Sequence, residues 1–272
     1  MTDAAVRSDA PAGVPRPPGK SVAAWVQDIV IWGGVAGLLI YSFDAVNLGG
    51  VGQLFSNAQA AANFADFLRP DFSSWRLFVA AMWETVQIAL WGTFLAVILA
   101  VPMGLAAARN TAPVWVVTPV RWIMNLLRSV PDLVIGLVLI VMVGLGPLAG
   151  VLAITLNTAG VLAKLFSEAV ESIDKGPVEG VRATGATSLH EIIWGVIPQV
   201  APLWTSFALY RFESNSRSAT ILGIIGAGGI GQVLFDRMNA FAYREASAVV
   251  IIVVVAVTLI DMLSQAMRKR LL

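Results

Sequence analysis

The chain is 272 residues long, 57% hydrophobic and only 13% charged, with a mean hydropathy of +0.78. Soluble chains carry about 25% charged residues, so a soluble domain is excluded and an all-α integral membrane protein of about six transmembrane helices is expected. The net charge of +1 points to no nucleic-acid partner; the lack of cysteine excludes disulfides and thiolate chemistry, and one histidine leaves little for a zinc site.

Residues 1–21 hold Pro11, Pro15, Pro17 and Pro18 and almost nothing that forms a core, so a disordered tail is expected. Gly13 with Gly19-Lys20-Ser21 approaches a phosphate loop, but the spacing is one residue too long and no strand precedes it. A second region, 22–76, comprises a first span over Val22 to Phe43 and an extracytoplasmic segment with a short helix over Asn57 to Leu68. No small-residue cleavage site follows the first apolar run, so it is expected to stay as an anchor. Region 77–272 holds the remaining spans. The second covers Leu77 to Ala107 and carries Glu84, which either faces a cavity or sits near the outer headgroups, because a charge deep in a bilayer costs about 2.5–3.5 kcal/mol. Val114 to Arg128, interrupted by Pro119, Arg121 and Arg128, reads as amphipathic and interfacial. Leu133 to Ala163 is uncharged for 31 residues, with Gly144, Gly146, Pro147 and Gly150 in its middle. It divides into spans over Val130 to Leu145 and Leu148 to Phe166, with one kinked helix as the alternative.

Lys164 to Gln199 is a polar island with helix punctuation. Pro177 suits a first helical turn, Glu179 falls in that turn, and Gly185 suits a left-handed terminus. Ser188 and Glu191 have the spacing of a capping box, with His190 a solvated member of it. A fifth span follows over Pro198 to Ile221 and a sixth over Ala246 to Met267. The fifth contains Arg211, Glu213, Ser214, Asn215 and Arg217. Glu213 and Arg217 form an i,i+4 pair, and an arginine fork suits an oxyanion or carboxylate. Arg211, Glu213, Asn215 and Arg217, with Glu84, are therefore candidates for a translocation pathway, against the alternative of a purely structural ion pair. Five glycines in nine residues, Gly223, Gly226, Gly228, Gly229 and Gly231, predict close backbone packing or a broken helix lining a cavity. Gly226 to Gly231 also fits a dinucleotide pattern but lacks the strand and helix context that pattern needs.

With six spans and the N-terminus inside, twelve of the eighteen Lys and Arg residues fall on the cytoplasmic side. That excess predicts cytoplasmic N- and C-termini and a cytoplasmic Glu179 loop.

Glu179, Gly185 six residues on, and Ile197-Pro198, with Pro198 thirteen after Gly185, resemble the EAA loop of bacterial ABC-importer permeases. Gly180 and Val181 stand where that loop has alanines. Tyr210 to Arg217 followed by Ala219 to Gly231, and Arg128-Ser129-Val130-Pro131, resemble the phosphonate branch of these permeases. The resemblance covers Leu77 to Leu272 and implies an ABC-importer permease domain over 77–272, in the bacterial inner membrane. It implies that Glu179, Gly180, Val181, Arg182, Gly185, Ala186, Ser188 and Pro198 form a coupling loop to a separate ATPase. A second permease, identical or paralogous, two ATPase subunits binding ATP and magnesium, and an extracytoplasmic binding protein would complete the assembly. The expected function is import of phosphonate or a related oxyanion (phosphate, phosphite), with no cofactor in this chain. Alternatives are a methionine permease of the same family and an ion-gradient-driven secondary transporter. An enzyme is disfavoured, because the chain shows no nucleophile–base pair or metal-ligand spacing.

Overall fold

The computed structural model describes residues 22–46 and 58–271, helical almost throughout. The tail, its near phosphate loop and part of the extracytoplasmic segment lie outside the described residues. The chain divides into two units, Met1–Ala62 and Asn63–Leu272. In the first, α1 (Val22–Ala45) is long enough at about 36 Å to cross a hydrocarbon core of about 30 Å. Its Trp25, Ile29, Trp32 and Leu39 are exposed, as suits a helix whose surroundings are lipid. Next comes α2 (Ala58–Phe67), the short helix expected from the sequence.

The second unit is built on α3 (Trp75–Ala107) and α6 (Pro147–Glu171). Lipid tails are as apolar as leucine, so burial alone does not hold such helices together; close packing of small residues and interhelical hydrogen bonds do. Accordingly α3 turns Ala89, Gly92, Ala96, Ala100 and Gly104 inward. A β-carbon on Gly92 would stand 2.7 Å from Ile154 Cγ2 of α6, closer than atoms tolerate.

Between them in sequence lie α4 (Val114–Ser129) and α5 (Asp132–Val143). They meet at Val130-Pro131 with a bend of 88°. Proline has no N–H to donate and disfavours helix in the residue before it, which explains the break. The expected independent span over Val130 to Leu145 is therefore corrected: α5 has 12 residues and reaches about 18 Å, too little to cross alone. Together α4 and α5 satisfy the length and polarity of one broken span, which with five longer helices gives up to six. Val114 to Arg128 is thus the first arm of this bent pair.

Helix α6 runs five residues past the expected Phe166. After it come α7 (Lys175–Ala183) and then α8 (Ser188–Ile224), a 37-residue helix. Over Glu191–Val196 the turns of α8 widen to i→i+5 bonding, just ahead of Pro198, which lacks an N–H. The charged stretch 210–217 lies well inside α8, not beyond it. The glycine-rich turn leads into α9 (Ile230–Asn239), a helix the sequence did not announce, and α10 (Tyr243–Leu271) closes the chain. Because α10 extends beyond Met267, Arg268, Lys269 and Arg270 are helical rather than a free tail.

Three apolar clusters stack along the unit. Phe78, Met82, Ile230 and Val249 pack near the glycine turn. Ile88, Ile154, Ala219 and Leu222 form the next layer. Met124, Phe166, Val200 and Trp204 pack toward α7, where the Trp204 and Phe166 rings stack at 4.6 Å.

Candidate functional site

The predicted site residues separate into three places: the loop around α7, a polar layer midway along the bundle, and the glycine turn.

At the loop, Asp174 caps α7 by accepting the Gly176 N–H at 3.0 Å, so the helix starts two residues before Pro177 and Glu179 lies past its first turn. Gly185 has φ +79°, and its N–H returns to Arg182 O at 3.0 Å, as its sequence position led one to expect. The capping box does not form. Thr187 occupies the cap position, its hydroxyl 2.8 Å from His190 Nδ1, and the Glu191 carboxylate turns instead to Arg182. Arg182 grips it as a fork, Nε to Oε1 at 3.0 Å and Nη2 to Oε2 at 2.8 Å. This bond holds the Arg182 guanidinium above its usual range. Gln199 braces the other side, accepting from Asp174 N at 3.1 Å and donating to Asp174 O at 3.2 Å. Val178 seats on Gly195, whose absent side chain makes room for it. Glu179, Gly180, Ser188 and Pro198 are exposed, Val181 and Ala186 half-buried. A cavity of about 420 Å³ opens beside them, lined by Asn110, Lys175, Glu179, Arg182 and Glu191.

The mid-bundle layer sits between the second and third apolar clusters. Asn215 of α8, 1% exposed, donates through Nδ2 to Thr93 Oγ1 of α3 at 2.8 Å and accepts from Thr158 Oγ1 of α6 at 3.1 Å. Arg211 Nη2 reaches Thr158 Oγ1 at 3.3 Å and Asn215 Oδ1 at 3.4 Å. Its buried Nε has no acceptor among the described residues. The break between α4 and α5 joins this layer: Asn157 Nδ2 donates to Val130 O at 3.1 Å, and Asp132 acts electrostatically on Arg211. Glu213 and Arg217 point elsewhere. Glu213, 8% exposed, is paired through one oxygen with Arg217 at 3.1 Å and through the other with Arg268 of α10 at 3.3 Å. Arg211 and Glu213 thus face different neighbours of α8, although two positions apart in sequence.

Sequence reasoning missed Thr93, Asp132, Asn157, Thr158 and Arg268. Asn157 carried a signal, as the one amide in the uncharged run from Leu133 to Ala163. Hydroxyls within apolar helices carry none, because the same residues bond their own backbone, as Thr93 Oγ1 does with Ala89 O at 2.7 Å.

At the glycine turn, Gly226, Gly228 and Gly229 all have φ between +76° and +100°, which side chains resist. Thr85 Oγ1 accepts the Ile230 N–H at 2.8 Å, and Gly146 N–H donates to Gly226 O at 3.0 Å, pinning the turn to α3 and to the start of α6. Gly231 packs directly on Thr220 O, and Gly223 on the Gly228 carbonyl. A helix does follow these glycines, but no strand precedes them among the described residues. Glu84 is half-buried here, lining a cavity of about 440 Å³ with Gly228, Gln232 and Asp236. Nine residues along α3 separate it from Thr93, about 13 Å, so the structure does not gather Glu84 with Arg211.

Residues 100–272 match the model of the binding-protein-dependent transport system inner membrane component family. The chain belongs to this family. It is a multi-pass membrane protein and a permease subunit, and the matched region contains the α7 loop, Arg211 with Thr158 and Asn215, and the glycine turn. This permease is 41% identical over 201 residues to the phosphite transport system permease protein PtxC of Stutzerimonas stutzeri, covering 74% of this chain and 73% of that protein. It is 40% identical over 190 residues to the phosphate-import permease protein PhnE of Mycolicibacterium smegmatis, covering 70% of this chain and 36% of that one. The MetNI methionine ABC transporter, solved in inward-facing conformations, shares the fold, with a TM-score of 0.65 at 22% identity over 74% of this chain and 99% of that one. The alternative of a gradient-driven secondary transporter is set aside by the family match. The family's dependence on a binding protein places one among this permease's partners.

Proposed function

We propose that this permease forms one half of the membrane pathway of an ATP-driven importer for phosphonate, phosphite or phosphate. The observation that carries the reading is Arg211, a half-buried guanidinium beside a broken helix whose buried Nε lacks an acceptor. A buried donor without a partner costs about 1–3 kcal/mol, and an oxyanion offers acceptors in the geometry the arginine fork matches. Asp132 acts electrostatically on Arg211 in the layer, while Arg217 and Arg268 stand against Glu213 on another side of α8 and leave one net positive charge there. The phosphite and phosphate systems named for the relatives support the same substrate class.

In this reading both termini and the α7 loop face the cytoplasm, and the glycine turn faces outward, where a binding protein delivers ligand. A second permease, identical or paralogous, completes the pathway. Two separate ATPase subunits bind ATP and magnesium and hydrolyse the nucleotide; this chain couples and does not hydrolyse. Glu179, Gly180, Val181 and Ala186 meet the ATPase. The Arg182–Glu191 fork ties α7 to the base of α8, and α8 continues without a stop to Arg211, about 35 Å further on. Movement of α7 therefore tilts the helix that carries the pathway arginine. Gly223, Gly226, Gly228, Gly229 and Gly231 form the outward constriction beside Glu84.

The test is reconstitution of the permease with its ATPase and binding protein in vesicles, measuring ATPase stimulation and uptake of labelled phosphite, phosphate and methylphosphonate. Arg211→Gln is expected to cut uptake at least tenfold while leaving basal ATPase activity. Undiminished uptake by that variant would remove Arg211 from the pathway. Stimulation by methionine and by none of the oxyanions would overturn the substrate class.

A further inference from the structure

We infer that the cavity between the end of α3 and α4 binds the phosphodiester headgroup of an anionic phospholipid. The cavity measures about 390 Å³ and is lined by Arg109, Thr118, Arg121, Trp122 and Asn125, with Val114 at its edge. It is separate from the cavity of the α7 loop, where Lys175, Glu179 and Arg182 lie.

Its charge is suited to one phosphodiester. Arg121 is committed on one side, with Nε donating to Ala107 O at 3.0 Å and Nη2 to Glu171 Oε1 at 2.6 Å. Glu171 also accepts the Arg109 backbone N–H at 2.9 Å. The Arg109 guanidinium is exposed and makes no ion pair among the described residues. Two arginines against one glutamate leave a single positive charge, which one phosphodiester neutralises. Thr118 and Asn125 lie one turn before and one turn after Arg121 on the same helix and add a hydroxyl and an amide for the remaining oxygens.

The helix flanking the cavity offers apolar surface on which an acyl chain can lie. Helix α4 buries Val117 and Met124 against the bundle and leaves Val114, Trp115, Trp122 and Leu126 on its outside, Trp122 at 73% exposure. Tryptophan at a membrane–water boundary places its ring among headgroups and chains, and basic pockets between transmembrane helices hold anionic headgroups. A free phosphate would use the arginines but leave the tryptophan and leucine uncovered. The inference rests on the membrane placement of the permease and is independent of its substrate.

The test uses full-length permease purified in detergent and native mass spectrometry with phosphatidylglycerol, phosphatidylcholine and inorganic phosphate as probes. Phosphatidylglycerol is expected to be retained over phosphatidylcholine. Arg109→Gln is expected to weaken that retention about fivefold, the effect of one basic residue near a membrane surface. Arg76→Gln, at the opposite end of α3, leaves it unchanged. Trp122→Ala weakens the lipid and does not alter phosphate binding. Equal retention of the two lipids, or full retention by Arg109→Gln, overturns the inference. Displacement of the lipid by millimolar phosphate overturns it too, and makes the cavity a free-phosphate site.

Discussion

Two arginines of this permease take different partners in opposite surroundings. Arg182 forks onto Glu191 at the loop, with 65% of its side chain exposed, whereas Arg211 lies half-buried among Thr158, Asn215 and the helix break. An ordinary ion pair at a protein surface is worth about 0–1 kcal/mol, since solvent screens it and two long side chains must be held still. Between helices in a membrane, polar contacts have no such competitor, and an unmet donor costs more than a met one returns. The loop pair is consequently adjustable, suited to a contact that must move with a partner. The buried layer is committed, and whatever completes it gains from that commitment.

The sharpest way to break the comparison is Asn215→Leu. It removes the hub joining Thr93, Thr158 and Arg211, and a stability loss of about 1–3 kcal/mol is expected with loss of uptake. Thermal unfolding in detergent reads the first and vesicle uptake the second; an unchanged unfolding temperature would mean the layer is not a committed network. A double-mutant cycle of Arg182→Ala and Glu191→Ala comes next. Its coupling energy in stability should stay below about 1 kcal/mol and shrink in high salt, while ligand-stimulated ATPase falls severalfold in each single variant. A coupling energy equal to that of the buried layer would erase the distinction between the two regions.

The smallest effect concerns a third polar contact, outside the spans. Ser73 N–H bonds Asp71 Oδ1 at 2.9 Å and holds that carboxyl below its usual range. A depressed carboxyl stabilises the fold above its unfolded pKa, and the benefit disappears as pH falls through the folded value. Asp71→Asn should therefore lower the unfolding temperature slightly at pH 7 and flatten the acid side of its profile, the difference vanishing once the pH lies below the folded pKa of Asp71. A deeper loss at neutral pH would show that Asp71 does more than order the start of α3.

Much of this was legible in the chain. Uncharged runs bounded by Arg109 and by Lys164 marked α3 and α6, because a bilayer accepts few other sequences. Pro177 and Gly185 marked a helical loop, and the likeness of the Glu179, Gly185 and Pro198 spacing to the EAA loop implied its coupling role. The Ser188–Glu191 box failed for a physical reason: a carboxylate near a guanidinium prefers the charged fork to a neutral backbone donor, and only the fold brings Arg182 within reach. The third span failed because of Val130-Pro131, whose break leaves two short helices at 88° where one spanning helix was expected.

Composition, charge and spacing by themselves determined that the chain crosses a membrane several times, carries a helical loop between spans, and places arginines where they are expensive. Those properties are local, since each residue meets lipid or water by its own chemistry. Tertiary structure alone decided which charges share a site. Arg268 lies 55 residues from Glu213 yet pairs with it, and Arg211 two residues away does not. The helical period turns neighbours in sequence toward different helices, and only the packing of α3, α6, α8 and α10 says which helix each one meets.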